Sequence, residues 1–160
     1  MKPPLLFMRI TIDVSVIIST LKENEIKHKE SLDFLAYLYK IQEQKHIEIY
    51  QPVEWLLELA VVLRREKENT NINFVSFLKP EKPLRNYVVE ITEEAVINFI
   101  NKLNKKYNRF FVKSGADLLY LLTAHLSNST LVTIDDGLKS YDGFINVKYP
   151  GEALEILRKI

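Results

Sequence analysis

Aspartates stand at the ends of two predicted strands and at the start of one predicted helix. Asp13 follows a short run of β-branched residues, and Asp135 and Asp136 follow a second such run. Asp117 falls in the first turn of a predicted helix. Because ligands of open parallel sheets bind beyond the carboxyl ends of the strands, we expect Asp13 and Asp135 on the same rim of one sheet.

Each of these aspartates also has an ordinary structural explanation. Asp13 can cap the helix that follows it, which is a common role for aspartate. The spacing from Ser114 to Asp117 matches a capping box, with aspartate in place of the usual Glu or Gln. The pair Asp135 and Asp136, followed by glycine, matches a turn. Taken singly, the structural role is the commoner one for each of these acids.

Glu58 differs from the aspartates because the helix predicted around it is apolar on almost every side. Such a helix is expected to be largely buried. A buried carboxylate without a partner costs several kcal/mol unless it is neutralised or finds a cation. The alternative is a narrow solvated stripe along the helix, formed by Glu54, Glu58 and Arg65. The sequence leaves both interpretations open.

Considered together, the acids predict a metal site. Three or four carboxylates on one rim repel each other and raise their own pKa values. A divalent cation relieves that repulsion, and oxygen ligands suit Mg²⁺ or Mn²⁺. The chain has no cysteine, and its three histidines, His28, His46 and His125, lack the spacing of metal ligands. Such a cation activates water and stabilises charge on a phosphodiester, so phosphodiester hydrolysis is the chemistry that these residues predict.

The elements that must position these acids alternate along the chain. The 160 residues are 47% hydrophobic, which suits one compact domain over residues 1–160. With a net charge of only +1, any contact with nucleic acid must come from a local patch or from metal ions that screen the carboxylates. Strands are predicted over residues 9–12, 47–50, 87–91, 130–134 and 144–147, and helices over 14–21, 30–44, 52–67, 92–107, 114–126 and 152–159. This alternation predicts an α/β fold, in which helices cover both faces of a mainly parallel sheet.

The remaining segments are predicted to be connections. Residues 69–83 begin polar and end with two prolines, which indicates a loop with at most a short element. Residues 1–12 are too short for a membrane span and lack a cleavage site typical of signal peptides. We therefore expect a cytoplasmic protein.

Four acid-bearing segments occur in a fixed order along the chain. They are IDVSVII at residues 12–18, PVEWLLEL at 52–59 with its continuation to 65, SGADLL at 114–119 followed by Thr123 and Ala124, and LVTID at 131–135. Each segment is a weak signal alone, but four in this order with this spacing are specific. Together they resemble the motifs of the PIN-domain family, and within it the VapC toxins. The resemblance extends from Arg9 to at least Val147.

This resemblance implies a fold, a reaction and a set of site residues. The fold is a three-layer α/β sandwich, and the reaction is cleavage of single-stranded RNA with divalent metal ions. The acidic quartet of the family carries over, as catalytic and metal-binding residues, to Asp13, Glu58, Asp117 and Asp135. The residues in supporting roles are Ser15, Thr133 and Asp136, the last of which can assist or replace Asp135.

The resemblance also implies partners. VapC toxins pair with a separate antitoxin protein and form homodimers, and we expect a symmetric contact on the early helices through Phe34, Tyr37 and Leu38. The candidate RNA-contacting residues are Arg64, Arg65, Arg109 and Lys113.

Other kinds of protein remain as alternatives. An RNA-processing PIN nuclease outside a toxin–antitoxin pair would carry the same acids. A non-catalytic PIN-like module would bind RNA or protein without cutting, but such a module is expected to lack one or more of the acids. A phosphatase of the Asp-x-Asp type fits poorly because Ser15 stands where the second acid is required. A receiver domain fits poorly because Gln51 and Thr92 follow the middle strands.

Overall fold

The computed structural model describes residues 7–42, 44–67, 86–108 and 112–160. The predicted loop at residues 69–83 and the candidate Arg109 lie outside this part of the chain. The described strands are β1 (Phe7–Ile12), β2 (His46–Pro52), β3 (Asn86–Val89), β4 (Thr130–Val132) and β5 (Val147–Lys148). The described helices are α1 (Val14–Ser19), α2 (His28–Ile41), α3 (Glu54–Lys67), α4 (Glu93–Lys106), α5 (Gly115–Ser127), α6 (Asp136–Lys139) and α7 (Pro150–Lys159). None of these helices has the length and apolar character needed to cross a lipid bilayer.

The five strands pair in parallel in the order β3-β2-β1-β4-β5, which confirms the predicted parallel α/β class. β1 is central, and its Ile10 pairs with Ile49 of β2 on one side and Thr130 of β4 on the other. The chain adds β2 and β3 on one side of β1 and then returns to add β4 and β5 on the other. The strand order therefore reverses between β1 and β4. In open parallel sheets, the ligand crevice lies beyond the carboxyl ends of the strands at such a point.

The central strands are buried on both faces near their carboxyl ends, where residues 10–12 of β1 and 130–132 of β4 are all buried. Ile10 and Leu131 have no exposed surface. On the faces of the sheet, α2 packs against α7, and α5 packs against β1 and β2. Phe34 and Leu38 of α2 are also completely buried within this chain. The predicted dimer contact through these two side chains is therefore wrong, because both belong to the core and only Tyr37 retains partial exposure.

Several predicted boundaries differ from the structure for local reasons. Pro52 ends β2 instead of beginning a helix, because a residue without an N–H cannot continue the hydrogen-bond ladder of a strand. The strand predicted over residues 144–147 is wrong except at Val147. The N–H groups of Phe144 and Ile145 both donate to the carbonyl of Tyr141, which makes this segment a turn. The turn predicted at Asp135 is the start of the short helix α6.

Candidate active site

Asp13 lies directly after the central strand β1 and is the N-cap of α1. Its carboxylate accepts hydrogen bonds from the Ser15 N–H at 3.2 Å, the Ser15 Oγ at 2.6 Å and the Thr133 Oγ1 at 2.6 Å. Its side chain is buried, with 6% of the residue exposed. The structure therefore places both predicted hydroxyls on Asp13. The same carboxylate also caps α1, as the structural explanation predicts.

The surroundings of Asp13 favour its neutral form. Burial raises the pKa of Asp13, and the hydrogen bonds from Ser15 and Thr133, which lower it, do not fully compensate. The negative charge of Asp117 raises the pKa further. The hydrogen-bond donors that stabilise the Asp13 carboxylate are neutral groups. A cation placed beside Asp13 would therefore stabilise the ionised carboxylate strongly.

A buried glutamine fixes the end of the strand that carries Asp13. Gln51 Nε2 donates to the Ile12 carbonyl at 3.0 Å, and the Ile12 N–H donates to Gln51 Oε1 at 3.3 Å. The side-chain amide thus pairs with the backbone of β1 beyond Ile10, the last β1 residue that pairs with β2. No local pattern indicates this role of Gln51, because the contact joins residues 39 positions apart.

Glu58 approaches this region from α3. Its Oε2 accepts a hydrogen bond from the Tyr120 hydroxyl of α5 at 3.0 Å. Burial raises the pKa of Glu58, and the bond from Tyr120 partly opposes that rise. The charges of Asp13 and Asp117 raise the pKa of Glu58 further. Three of the four predicted site acids therefore lie within electrostatic reach of one another.

The helix that carries Glu58 is only partly buried, although its composition predicts burial all round. Leu57 is 69% exposed and Val61 is 50% exposed, whereas Leu59 is buried. Composition alone could not show this, because a helix that is apolar on every side gives no indication of which side packs. Glu58 lies between the two faces and is half-buried. Both earlier interpretations of Glu58 were therefore incomplete: it is neither fully buried nor part of a purely solvated stripe.

Asp117 lies in the first turn of α5, as the sequence predicts. Its backbone N–H donates to the Ser114 Oγ at 3.2 Å, so Ser114 is the N-cap of this helix. The Asp117 Oδ2 accepts from the Lys113 N–H at 3.1 Å. In a capping box this carboxylate would accept from the N–H of the N-cap residue, Ser114. Here it accepts instead from the N–H of Lys113, one position earlier.

Asp135 is the N-cap of α6 and carries a salt bridge. Its Oδ1 accepts from the Gly137 N–H at 2.6 Å and the Leu138 N–H at 3.3 Å, while Lys113 Nζ lies 2.8 Å from Oδ2. Burial works to raise the pKa of Asp135, but Lys113 and the two backbone donors outweigh it and lower the pKa. The Asp135 N–H donates to Thr133 Oγ1 at 3.0 Å. One hydroxyl therefore connects Asp135 with Asp13.

Asp136 has a different partner from Asp135. Its Oδ1 accepts a hydrogen bond from the Tyr149 hydroxyl at 2.6 Å, and the residue is exposed. Asp135, in contrast, contacts the Thr133 hydroxyl that also holds Asp13. Of the two adjacent acids, the contacts therefore favour Asp135 as the member of the site.

We call four residues the rim acids: Asp13, Glu58, Asp117 and Asp135. They do not form a closed cage around one ion. Within the described ranges, no three carboxylates or histidines stand close enough to hold one ion together. The donor set still fits a hard cation, because Mg²⁺ commonly binds one or two protein carboxylates and keeps several of its waters. The rim acids therefore fit an ion with few direct protein ligands, and the remaining acids would act through water.

The basic residues predicted to contact RNA, and His125 on the helix of Asp117, lie in different surroundings. Arg64 and Arg65 are exposed on α3. Lys113 is paired with Asp135, a contact that the sequence did not indicate. His125 lies near the C-terminal end of α5, whereas Asp117 is at the N-terminal end. Burial and the nearby Lys102, whose Nζ is 3.2 Å from His125 Nε2, lower the pKa of His125.

Tyr120 is the second residue of the region that the sequence did not single out. The sequence feature that could have indicated Tyr120 is its position three residues after Asp117, which places both side chains on one face of α5. That spacing is shared by many core residues, so it could not separate Tyr120 from its neighbours.

Comparisons with known proteins agree with this fold. The model of the PIN domain family matches residues 10–144. Among solved structures, the chain is similar to one from the crystal structure of VapBC2 from Rickettsia felis bound to a DNA fragment from their promoter. The TM-score is 0.59 at 14% sequence identity, with 89% of this chain and 98% of that chain covered. A comparison with curated proteins found no match. Because the family model covers most of the sequence and includes all four rim acids, this chain belongs to the PIN-domain family.

Proposed function

We propose that this protein is a metal-dependent endoribonuclease that cleaves single-stranded RNA and serves as the toxin of a type II toxin–antitoxin pair. The observation that carries the proposal is the environment of Asp13. This buried carboxylate ends the central strand, is held by neutral donors, and lies within reach of the charges of Glu58 and Asp117. Membership of the PIN-domain family supports a nuclease function for these acids.

The rim acids have distinct roles in the proposed reaction. Asp13, Asp117 and Asp135 would hold Mg²⁺ or Mn²⁺ directly or through water, and Glu58 would complete the site from α3. The bound cation would supply an activated water and offset the negative charge that develops on the phosphodiester. Ser15 and Thr133 keep the Asp13 carboxylate in one orientation by donating to it. Thr133 also accepts from the Asp135 N–H, so it sets the spacing between two of the acids.

The proposed partners are an antitoxin protein, an RNA substrate and a second copy of the chain. The similar Rickettsia structure is a VapBC2 complex bound to promoter DNA, which supports the proposal of an antitoxin for this chain. A homodimer would use surfaces other than Phe34 and Leu38, because these side chains are buried. We propose that the protein acts in the cytoplasm, where its RNA substrates would be found.

The experiment that tests the function is cleavage of a labelled single-stranded RNA, with a duplex of the same sequence for comparison. We expect cleavage of the single strand in Mg²⁺ or Mn²⁺ and none in excess EDTA. The Asp13→Asn variant should be inactive. The control is Asp33→Asn, which removes an equal charge from an exposed position on α2. A wild-type rate for Asp13→Asn would contradict the proposal.

A further inference from the structure

The Tyr120 hydroxyl lies where three elements that carry rim acids meet. Tyr120 belongs to α5 and is only 2% exposed. Its hydroxyl donates to Glu58 Oε2 of α3 at 3.0 Å and accepts from the N–H of Val14 at 3.4 Å. Val14 is the first residue of α1 and directly follows Asp13. A single buried oxygen thus connects the helices of Glu58 and Asp117 to the backbone beside Asp13.

The contact is specific to one oxygen of Glu58. Within the described part of the chain, the Tyr120 hydroxyl is the hydrogen-bond donor that the structure gives to Glu58, and it contacts Oε2. Leu57, next to Glu58 on the same helix, is largely exposed, so this part of α3 borders solvent. A long side chain at such a half-exposed position has several rotamers to choose from, and ordering it costs conformational entropy. The bond from Tyr120 selects one of these rotamers in advance.

We propose that Tyr120 is a positioning residue that orients Glu58 toward the cation held by the rim acids. The inference rests on the proposed metal-dependent function. Because the hydroxyl binds Oε2, Oε1 would be the oxygen available to the cation or to one of its waters. Partners that orient a ligand in this way commonly change metal affinity by about 10–100-fold when they are removed.

The test is the Mn²⁺ affinity of the full chain, measured by electron paramagnetic resonance of the free ion without RNA. Tyr120→Phe keeps the buried ring and removes only the hydroxyl. We expect it to weaken Mn²⁺ binding by about tenfold, at the low end of the effects of such orienting partners, because three other rim acids would still attract the ion. The matched control is Tyr50→Phe, which removes a 2.7 Å tyrosine–glutamate hydrogen bond to Glu48 on β2. The control should bind Mn²⁺ like the wild type.

A double-mutant cycle separates positioning from a general structural effect. If Tyr120 acts through Glu58, Tyr120→Phe should cause no further loss of Mn²⁺ affinity in the Glu58→Gln background. An equal loss in both backgrounds would show that the hydroxyl acts by another route and would overturn the inference. Wild-type affinity in Tyr120→Phe would overturn it as well. Melting curves without metal verify that each variant is folded.

Other outcomes distinguish this inference from the proposed function. If Glu58→Gln binds Mn²⁺ as tightly as the wild type while Asp13→Asn does not, the positioning role fails and the metal site survives. If the wild-type protein does not bind Mn²⁺ at millimolar concentration, the proposed function and the inference fail together.

Discussion

Two groups of acidic residues in this molecule have opposite electrostatic surroundings. The β5 ion-pair cluster consists of Lys139, Asp142, Lys148 and Glu152. Lys139 Nζ lies 3.0 Å from Asp142 and 2.8 Å from Glu152, and Lys148 Nζ lies 2.9 Å from Asp142. Burial opposes the effect, but Lys148 and Lys139 lower the pKa of Asp142 to about 2.

The rim acids Asp13 and Glu58 show the opposite direction of shift. Burial and the neighbouring acids raise the pKa of both carboxylates, and the side chains that donate to them are neutral hydroxyls. The chain thus places lysines on the acids around β5, while Asp13 and Glu58 are held without a cationic side chain among these donors. The contrast agrees with the proposed function: lysines already balance the acids around β5, whereas Asp13 and Glu58 would be stabilised in their ionised form by a cation from solution.

The largest expected difference between the two groups is in catalysis. Asp13→Asn should lower RNA cleavage by about 100-fold or more, since loss of a ligand should exceed the effect of an orienting partner. The loss should fall on turnover more than on RNA affinity. Asp142→Asn should leave the rate unchanged because Asp142 is already paired with lysines. Single-turnover rates on one RNA oligonucleotide measure both. Equal losses in the two variants would remove the distinction between the groups.

Stability without metal should change in opposite directions. Asp142→Asn should destabilise the protein at pH 7 by about 0.5–1 kcal/mol, a value kept small because the ion pairs are partly exposed to solvent. Asp13→Asn should stabilise the metal-free protein, since it removes a charge whose burial is unfavourable. Urea unfolding of the two variants and the wild type at pH 7 measures both effects. A stabilised Asp142→Asn, or a strongly destabilised Asp13→Asn, would contradict the comparison.

The pH dependence of these differences follows from the two shifts. The contribution of Asp142 is present above its ordinary pKa of 3.8 and is lost as the pH falls toward about 2. The penalty for ionising Asp13 is absent below 3.8 and grows as the pH rises through its raised pKa. The two variants should therefore approach wild-type stability from opposite sides as the pH is lowered. Unfolding followed from pH 7 into the acid range tests this, and differences that stay constant with pH would count against both assignments.

A smaller effect is expected at Lys113, which bonds the Asp135 Oδ2 at 2.8 Å. This ammonium occupies an oxygen that a divalent ion would use, so Lys113→Met should tighten Mn²⁺ binding. The expected change is about threefold, which is the change in affinity that corresponds to the free energy of an exposed ion pair. Lys148→Met removes a similar pair, at 2.9 Å, from the β5 ion-pair cluster and serves as control. Calorimetric titration with Mn²⁺ compares the two. Weaker binding in Lys113→Met would instead indicate that Lys113 supports the site.

The fold could be predicted from the sequence because the patterns that indicate its strands and helices are local. The β-branched runs before Asp13 and Asp135 predicted strands, and the structure places β1 and β4 side by side with parallel pairing. The capping role of Ser114 was also indicated by residue type and spacing, and the structure confirms it. Each of these features depends on a few consecutive residues, so pattern and propensity were sufficient.

The contacts around the rim acids could not be predicted from the sequence in this way. The bond from Tyr120 to Glu58 joins residues 62 positions apart, and the pairing of Gln51 with Ile12 joins residues 39 positions apart. Neither depends on a local pattern, so both appear only once the elements are packed. The exposure of Leu57 was missed for a related reason, since an apolar sequence does not show which side of a helix has a neighbour. The catalytic and metal-binding roles of the rim acids remain predictions.

The most direct test of the central claim is the effect of Mn²⁺ on the melting temperature of the wild type and of Asp13→Asn. At a Mn²⁺ concentration about ten times the Kd, linkage adds about 1.4 kcal/mol to the free energy of unfolding. For a chain of this size, that corresponds to a rise of about 3–6 °C. We expect this rise in the wild type and in Asp142→Asn, and little or none in Asp13→Asn. A wild-type melting curve that does not move with Mn²⁺, or an equal rise in Asp13→Asn, would contradict the assignment of a cation to the rim acids.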